Sequence, residues 1–375
     1  MNYIFSIVGS VALPGFSFLL SNYAAYTGDL HILGTYGVFI AKSALISLIL
    51  GGWVSHFLQN HCDVYSLDDL SKLLHYIIFA LCFIGLVLCY FEIYSSSFGL
   101  TICCLNVYLA FIKRQQLWFT FACLAVFLAV IQTALYFVIV SDWVEVFCRY
   151  LNATVLAYAL IKILILNRRS VRIPELGRWA QVLGNYYILG LSSLGSWGLS
   201  QGGRVVLADA LSFEAAGQLT LLSAYGGVMT TIAGAIWGPK HMSLLANSRP
   251  GFEKIIPWKA LVKPLLFIAK ILVFLSLVVI LTVPQFYKEI GYPGITLVCI
   301  WYSLATIVSI LSAGFLGNSG RVFFCWVQFV AGICALSLGW LATFLSAQVE
   351  AWLITNCLVF LGLTGVVIFR FRRTF

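Results

Sequence analysis

Charge is what this sequence has least of. Only 9% of its 375 residues are Asp, Glu, Lys or Arg, against 62% hydrophobic, where a soluble domain carries about 25% charged residues. Acids are scarcer still: none falls within the body of an apolar run, and Glu92, Glu145 and Asp209 stand at or beyond run ends. A soluble fold is excluded by that shortage. Repeated apolar runs of roughly 20 residues mean spanning helices, because hydrocarbon offers the backbone no hydrogen-bond partner. The runs are continuous rather than alternating, which excludes a transmembrane β-barrel.

Other absences narrow the chemistry. The 11 cysteines form no CxxC and no Cys/His metal spacing. Ten of them lie in or at the edges of apolar runs, so they read as inert buried thiols, and no metal or cofactor is expected. The +9 net charge belongs mostly to loops and reports orientation in a bilayer, not binding to nucleic acid. The first run lacks a positively charged leader and a small-residue cleavage site, so it is expected to be a retained helix.

What is present is an all-α polytopic membrane protein with about twelve transmembrane helices. The spans are expected near 3–23, 34–54, 73–91, 98–112, 117–140, 144–166, 186–208, 216–237, 261–283, 295–316, 322–345 and 351–369. The fourth is short, which leaves eleven open; against that, FGLTICCLNVYLAFI would then lie unburied in a loop. With twelve, sixteen of the 22 basic residues collect on one side and only Arg149, Arg204 and Lys288 on the other. The positive-inside rule then places both termini in the cytoplasm.

The basic segment 167–185, with Arg168, Arg169, Arg172, Arg178 and Pro174, separates a six-helix bundle at 1–166 from another at 186–375. An internal repeat supports the division. Gly37, Ser43 and Ala44 at the head of the second span match Gly217, Ser223 and Ala224 at the head of the eighth, 180 residues on. Six spans separate them, so the repeat is parallel, about an axis along the membrane normal.

Basic residues inside spans cost roughly 2.5–3.5 kcal/mol each on insertion scales and call for a reason. Lys42 and Lys270 lie eight and nine residues into their spans, too deep to reach either surface easily, and are read as facing a cavity. Lys162, four residues from a span end, can snorkel. Arg149 and Arg204 lie near span ends, where a headgroup anchor and a cavity role are both open. Buried cations without buried acids suit an anionic cargo better than a cationic drug. Asn106, Gln132, Asn152, Gln201, Gln328 and Asn356 are read first as contacts between helices. Pro14 interrupts the first span, as a static kink or as a bend that moves in gating. The glycines of the seventh span, Gly190 to Gly203, either permit close packing or loosen the helix near Gly202 and Gly203.

Two stretches carry a family resemblance: SVALPGFSFLLSNYAAYTGDLHILGTYGVF, and GRVVLADALSFEAAGQLTLLSAYGGVM. With the six-and-six organisation and basic linker, they resemble the first and fourth hairpins of the polysaccharide (O-antigen) flippases in the multidrug/oligosaccharidyl-lipid/polysaccharide exporter superfamily. There an acid often precedes the basic residue that Arg204 matches; here Gly203 replaces it. The resemblance implies an inner-membrane flippase for undecaprenyl-pyrophosphate-linked oligosaccharide. It would work by alternating access through a cationic cavity, alongside other polysaccharide assembly proteins. Lys42, Lys270, Arg204 and Arg149 agree in sign with such a cavity. The alternative is a multidrug or other small-solute secondary transporter. A membrane-embedded polysaccharide polymerase or ligase fits less well, because the external loops are too small to build a catalytic site.

Overall fold

The computed structural model describes residues 2–60, 67–168, 176–246, 293–308 and 321–374. They form α1 (Asn2–Thr27), α2 (Leu30–Asn60), α3 (Leu67–Tyr90), α4 (Tyr94–Arg114), α5 (Trp118–Val140), α6 (Val144–Arg168), α7 (Leu176–Ser200), α8 (Gly202–Ala210) and α9 (Phe213–Ala246). After these come α10 (Pro293–Val308), α11 (Arg321–Ser346) and α12 (Val349–Thr374). Among the described residues there is no strand. Eight of the helices are long and apolar enough to cross a membrane, and the chain is a polytopic membrane protein. The expected ninth span, 261–283, lies outside the described residues.

The fourth helix is a full one. It covers Tyr94–Arg114 and is the most buried of the candidate spans, packed between α2, α3, α5 and α6. Its expected length of about 15 residues was short because Tyr94, Ser95, Ser96 and Ser97 dilute the apolar run at its start. Those serines are used for contact: Ser43 Oγ donates to the Ser95 carbonyl at 2.8 Å.

Four of the bends between helices share one closure. Gly28, Glu92, Gln116 and Asp142 have positive φ. In each case the next amide reaches back five residues, as in Asp29 N–H to Ala24 O at 2.9 Å and Ile93 N–H to Leu88 O at 2.9 Å. A left-handed residue after the last helical turn satisfies carbonyls that the helix cannot. The bend before α9 instead uses Ser212, whose hydroxyl accepts from the Ala215 amide at 3.2 Å. Beside it, Glu214's own amide and then the Ser212 hydroxyl hold the Glu214 carboxyl below its usual range.

In lipid, helices gain little from hiding apolar surface, so packing and hydrogen bonds hold the bundle together. Outward faces stay apolar, for example Phe127, Val130 and Phe137 on α5 and Leu338, Leu341 and Phe344 on α11. Inside, helices approach over small residues: a methyl on Gly195 of α7 would meet the backbone of Gln328 and Phe329 on α11, and one on Gly99 of α4 the backbone of Ser43. Asn152, fully buried, ties α6 to α4. It accepts from Thr101 Oγ1 at 2.8 Å and donates to Ser97 Oγ and the Cys148 carbonyl, each at 2.9 Å.

Equivalent helices of the two halves pair in equivalent ways. α1 packs on α5 in the first half and α7 on α11 in the second. The repeat-matched serines both meet the fourth helix of their own half: Ser43 bonds to Ser95 on α4, and the Ser223 carbonyl accepts from Tyr302 Oη on α10 at 3.0 Å. Cysteines on the sixth helix of each half also point at the fourth, Cys148 Sγ to the Tyr94 carbonyl and Cys357 Sγ to the Leu297 carbonyl.

Candidate functional site

Among the described residues, helices of 1–166 and of 186–375 approach closely at the end that carries the Gly28 and Leu211 bends. There α2 lies on α9 with glycine against backbone. A methyl on Gly34 would overlap the Phe213 carbonyl, and one on Gly217 the Leu30 carbonyl. Gly37, matched to Gly217 by the repeat, faces the Thr220 hydroxyl in the same seam. Two further ties join the halves, Tyr225 Oη to Asn22 and Trp197 Nε1 to the Ala41 carbonyl at 2.7 Å.

Below that seam the seventh span is broken. α7 ends at Ser200, Gln201 stands between the helices, and α8 restarts at Gly202. The glycines expected either to pack closely or to loosen the helix do both. A methyl on Gly202 would meet Leu336, and one on Gly203 the Trp352 indole. The carbonyl of Leu199, whose helical partner would be the Gly203 amide, instead accepts from Asn356 Nδ2 at 3.0 Å. A polar side chain from a neighbouring helix thus meets a backbone group freed by the break, as a membrane interior requires.

Arg204 sits in the first turn of α8. Only 9% of its surface is exposed. Nη1 donates to Gln201 Oε1 at 2.5 Å, Nε has no partner, and the hydroxyls of Tyr302 and Tyr36 are near enough to interact with its charge. Three more buried polar atoms near it lack partners: Trp352 Nε1, Asn356 Oδ1 and Ser223 Oγ. Trp352 stands against Gly203, Asn356 against Leu199, and Ser223 under Tyr302. The arrangement is a buried cation at a helix break, with unpartnered donors at Arg204 Nε and Trp352 Nε1, an unpartnered hydroxyl on Ser223 and an unpartnered amide oxygen on Asn356. An unpaired buried charge is strongly unfavourable, and an oxyanion is the species that would satisfy it.

The other expected site residues fall elsewhere. Lys42 is exposed, on a stripe of α2 with His31 and Ile49. That stripe lies between the face that packs on α4 through Ser43 and Ile46 and the face that reaches α7 through Ala41. Arg149 is on the surface near the start of α6, paired with Glu145 at 2.5 Å and half exposed. It is not brought near Arg204. Lys270 lies outside the described residues. Pro14 is carried within a continuous α1. Tyr36, Tyr302 and Trp352 were not singled out from sequence, where each reads as one more aromatic in an apolar run.

No family model matches the chain, and no curated protein matches it. Two solved structures are similar along its whole length. One is described as "Crystal structure of MATE in complex with Br-NRF", with 12% identity, a TM-score of 0.45, and coverage of 99% of this chain and 94% of that chain. The other is described as "Crystal structure of MATE in complex with MaL6", with 12% identity, a TM-score of 0.46, and coverage of 99% and 92%.

Proposed function

We propose that this chain is a secondary transporter whose two halves, 1–166 and 186–375, alternate access to a centre at Arg204, and that its cargo is a small solute bearing an anionic group. The observation that carries the reading is Arg204 itself, nine-tenths buried, bonded to the neutral Gln201 and with its Nε unpartnered. A cationic cargo would meet repulsion here, while a carboxylate or phosphate would supply what the guanidinium lacks. The tight enclosure of the group favours a small cargo, because little of it is within reach in this conformation.

A second cargo class is favoured by Lys42. Exposed on α2 beside the tie to α7, it offers a second cation near the boundary of the halves, as a lipid-linked pyrophosphate oligosaccharide would use. This is also the cargo implied by the sequence resemblance, with the chain in a bacterial inner membrane and both termini cytoplasmic.

The test is transport by the full chain in proteoliposomes. One arm follows uptake of small organic anions; the other follows flipping of an undecaprenyl-pyrophosphate glycan. Arg204→Gln is expected to lower the rate at least about 10-fold in the arm that is active, since hydrogen bonds to charged groups contribute about 1.5–3 kcal/mol. Activity equal in wild type and Arg204→Gln would overturn the central role of this residue.

A further inference from the structure

We propose that His75 is a proton-binding site, served by the hydroxyl pair Tyr108–Tyr158 and placed where α3, α4 and α6 meet. This lies in the first half and goes beyond the reading of Arg204.

His75 is only 2% exposed. Its Nδ1 lies 2.6 Å from the Ser71 carbonyl, which can only accept, so Nδ1 carries the hydrogen and Nε2 presents a lone pair. That Nε2 is buried and has no partner. The rings of Tyr108 and Tyr158 lie against the imidazole, each with centroids 5.9 Å from it. Their hydroxyls bond to each other at 2.8 Å. One O–H is consumed in that bond, and the other is spare. A spare donor and a spare acceptor therefore stand on neighbouring rings, with no bond between them in this conformation.

The surroundings select a proton over other ligands. An anion has no use for a lone pair. A metal would need further ligands, and no group of three or more His, Cys, Asp or Glu that could hold one exists among the described residues. Among the described residues, the charged and titratable groups of this region are Lys72, Tyr76 and Cys82 on α3, Cys103, Cys104 and Tyr108 on α4, Tyr158 and Lys162 on α6, and Cys325 on α11. Ile188, Leu189 and Leu191 of α7 also pack into this region. Lys162 Nζ lies over the Tyr158 ring, 5.7 Å from its centroid, on an exposed stretch of α6. Lys162, four residues from the end of its expected span, can snorkel to the surface and so gives the tyrosines a path toward water. A proton taken from water there passes along the hydroxyl pair: Tyr158 or Tyr108 gives its hydrogen to Nε2 and regains one from its partner or from water. The imidazolium on α3 is then repelled by the Lys162 ammonium on α6, so proton occupancy opposes the packing of α3 on α6. Occupancy and the packing of these three helices are thereby linked.

The test uses the full chain in nanodiscs with isotope-labelled histidine, followed by nuclear magnetic resonance from about pH 5 to about pH 9, the span in which an imidazole can titrate. The His75 signal is identified by its loss in His75→Gln. It is identified independently in a variant where His31, His56, His61 and His241 are replaced, so the result does not depend on His75→Gln folding. The expected result is a single titration step for His75, with slower proton exchange in Tyr158→Phe. A His75 signal that stays fixed across the range overturns the site. Exchange unchanged in Tyr158→Phe overturns the route.

Discussion

A methyl group at Gly217 tests whether the seam between the halves is the closed contact of a moving protein. In the structure a Cβ there would overlap the Leu30 carbonyl and press on Gly34. These are backbone atoms, so no rotamer change relieves the clash and α2 and α9 must part by roughly 1 Å. Overpacking of this kind costs about 1–3 kcal/mol. If the seam is closed in one state and open in another, that cost falls on the closed state alone. About 2 kcal/mol then shifts the ratio of states roughly 30-fold. Spin labels on genetically encoded residues at Tyr26 and Glu214, both exposed, would read the separation of the two bends without touching the chain's own thiols. Gly217→Ala is expected to move most of the distance distribution to longer values. A distribution identical to wild type, with unchanged thermal stability, would refute the argument that backbone contact holds this end shut.

Two further substitutions probe the packing and the placement of charge. Asn152→Ala removes three hydrogen bonds among α4 and α6 and is expected to destabilise the first half by about 1–2 kcal/mol, given about 0.6 for an average contact between membrane helices. Thermal unfolding in detergent measures it, and an unchanged midpoint would contradict the network. Arg149→Ala breaks only an exposed pair and is expected to change stability by less than about 0.5 kcal/mol and to leave transport intact. A loss of transport comparable to that of Arg204→Gln would show that Arg149 belongs to the site after all.

The helical architecture could be read from sequence because bilayer thickness fixes how long an apolar run must be. The bend at Asp29 and the hairpin around Ser212 followed from short polar stretches between such runs. Hydropathy reports depth along the membrane normal, but it says nothing about the direction a side chain faces. Arg204 and Arg149 both stand near span ends, so they looked alike in sequence. One is folded into the contact between α8, α10 and α12, and the other lies on the rim with Glu145. Lys42 illustrates the converse, deep in its run yet exposed. The break at Gln201 was half visible in Gly202 and Gly203. Its completion depends on Asn356, more than 150 residues later in the chain, and no local pattern announces that partner.

The glycines where α2 meets α9 also constrain how 1–166 and 186–375 can vary together. Elsewhere they have traded bulk. At the contact between second and fourth helices, the first half sets Ile46 against Gly99, and the second sets Gly226 against Tyr302. Large and small have changed sides. That exchange needs a side chain on one partner and room on the other. Where Gly34 and Gly217 meet, each faces main-chain carbonyls, and there is nothing to exchange. Neither position faces a side chain that could shrink to make room, so a larger residue at either one must part α2 from α9.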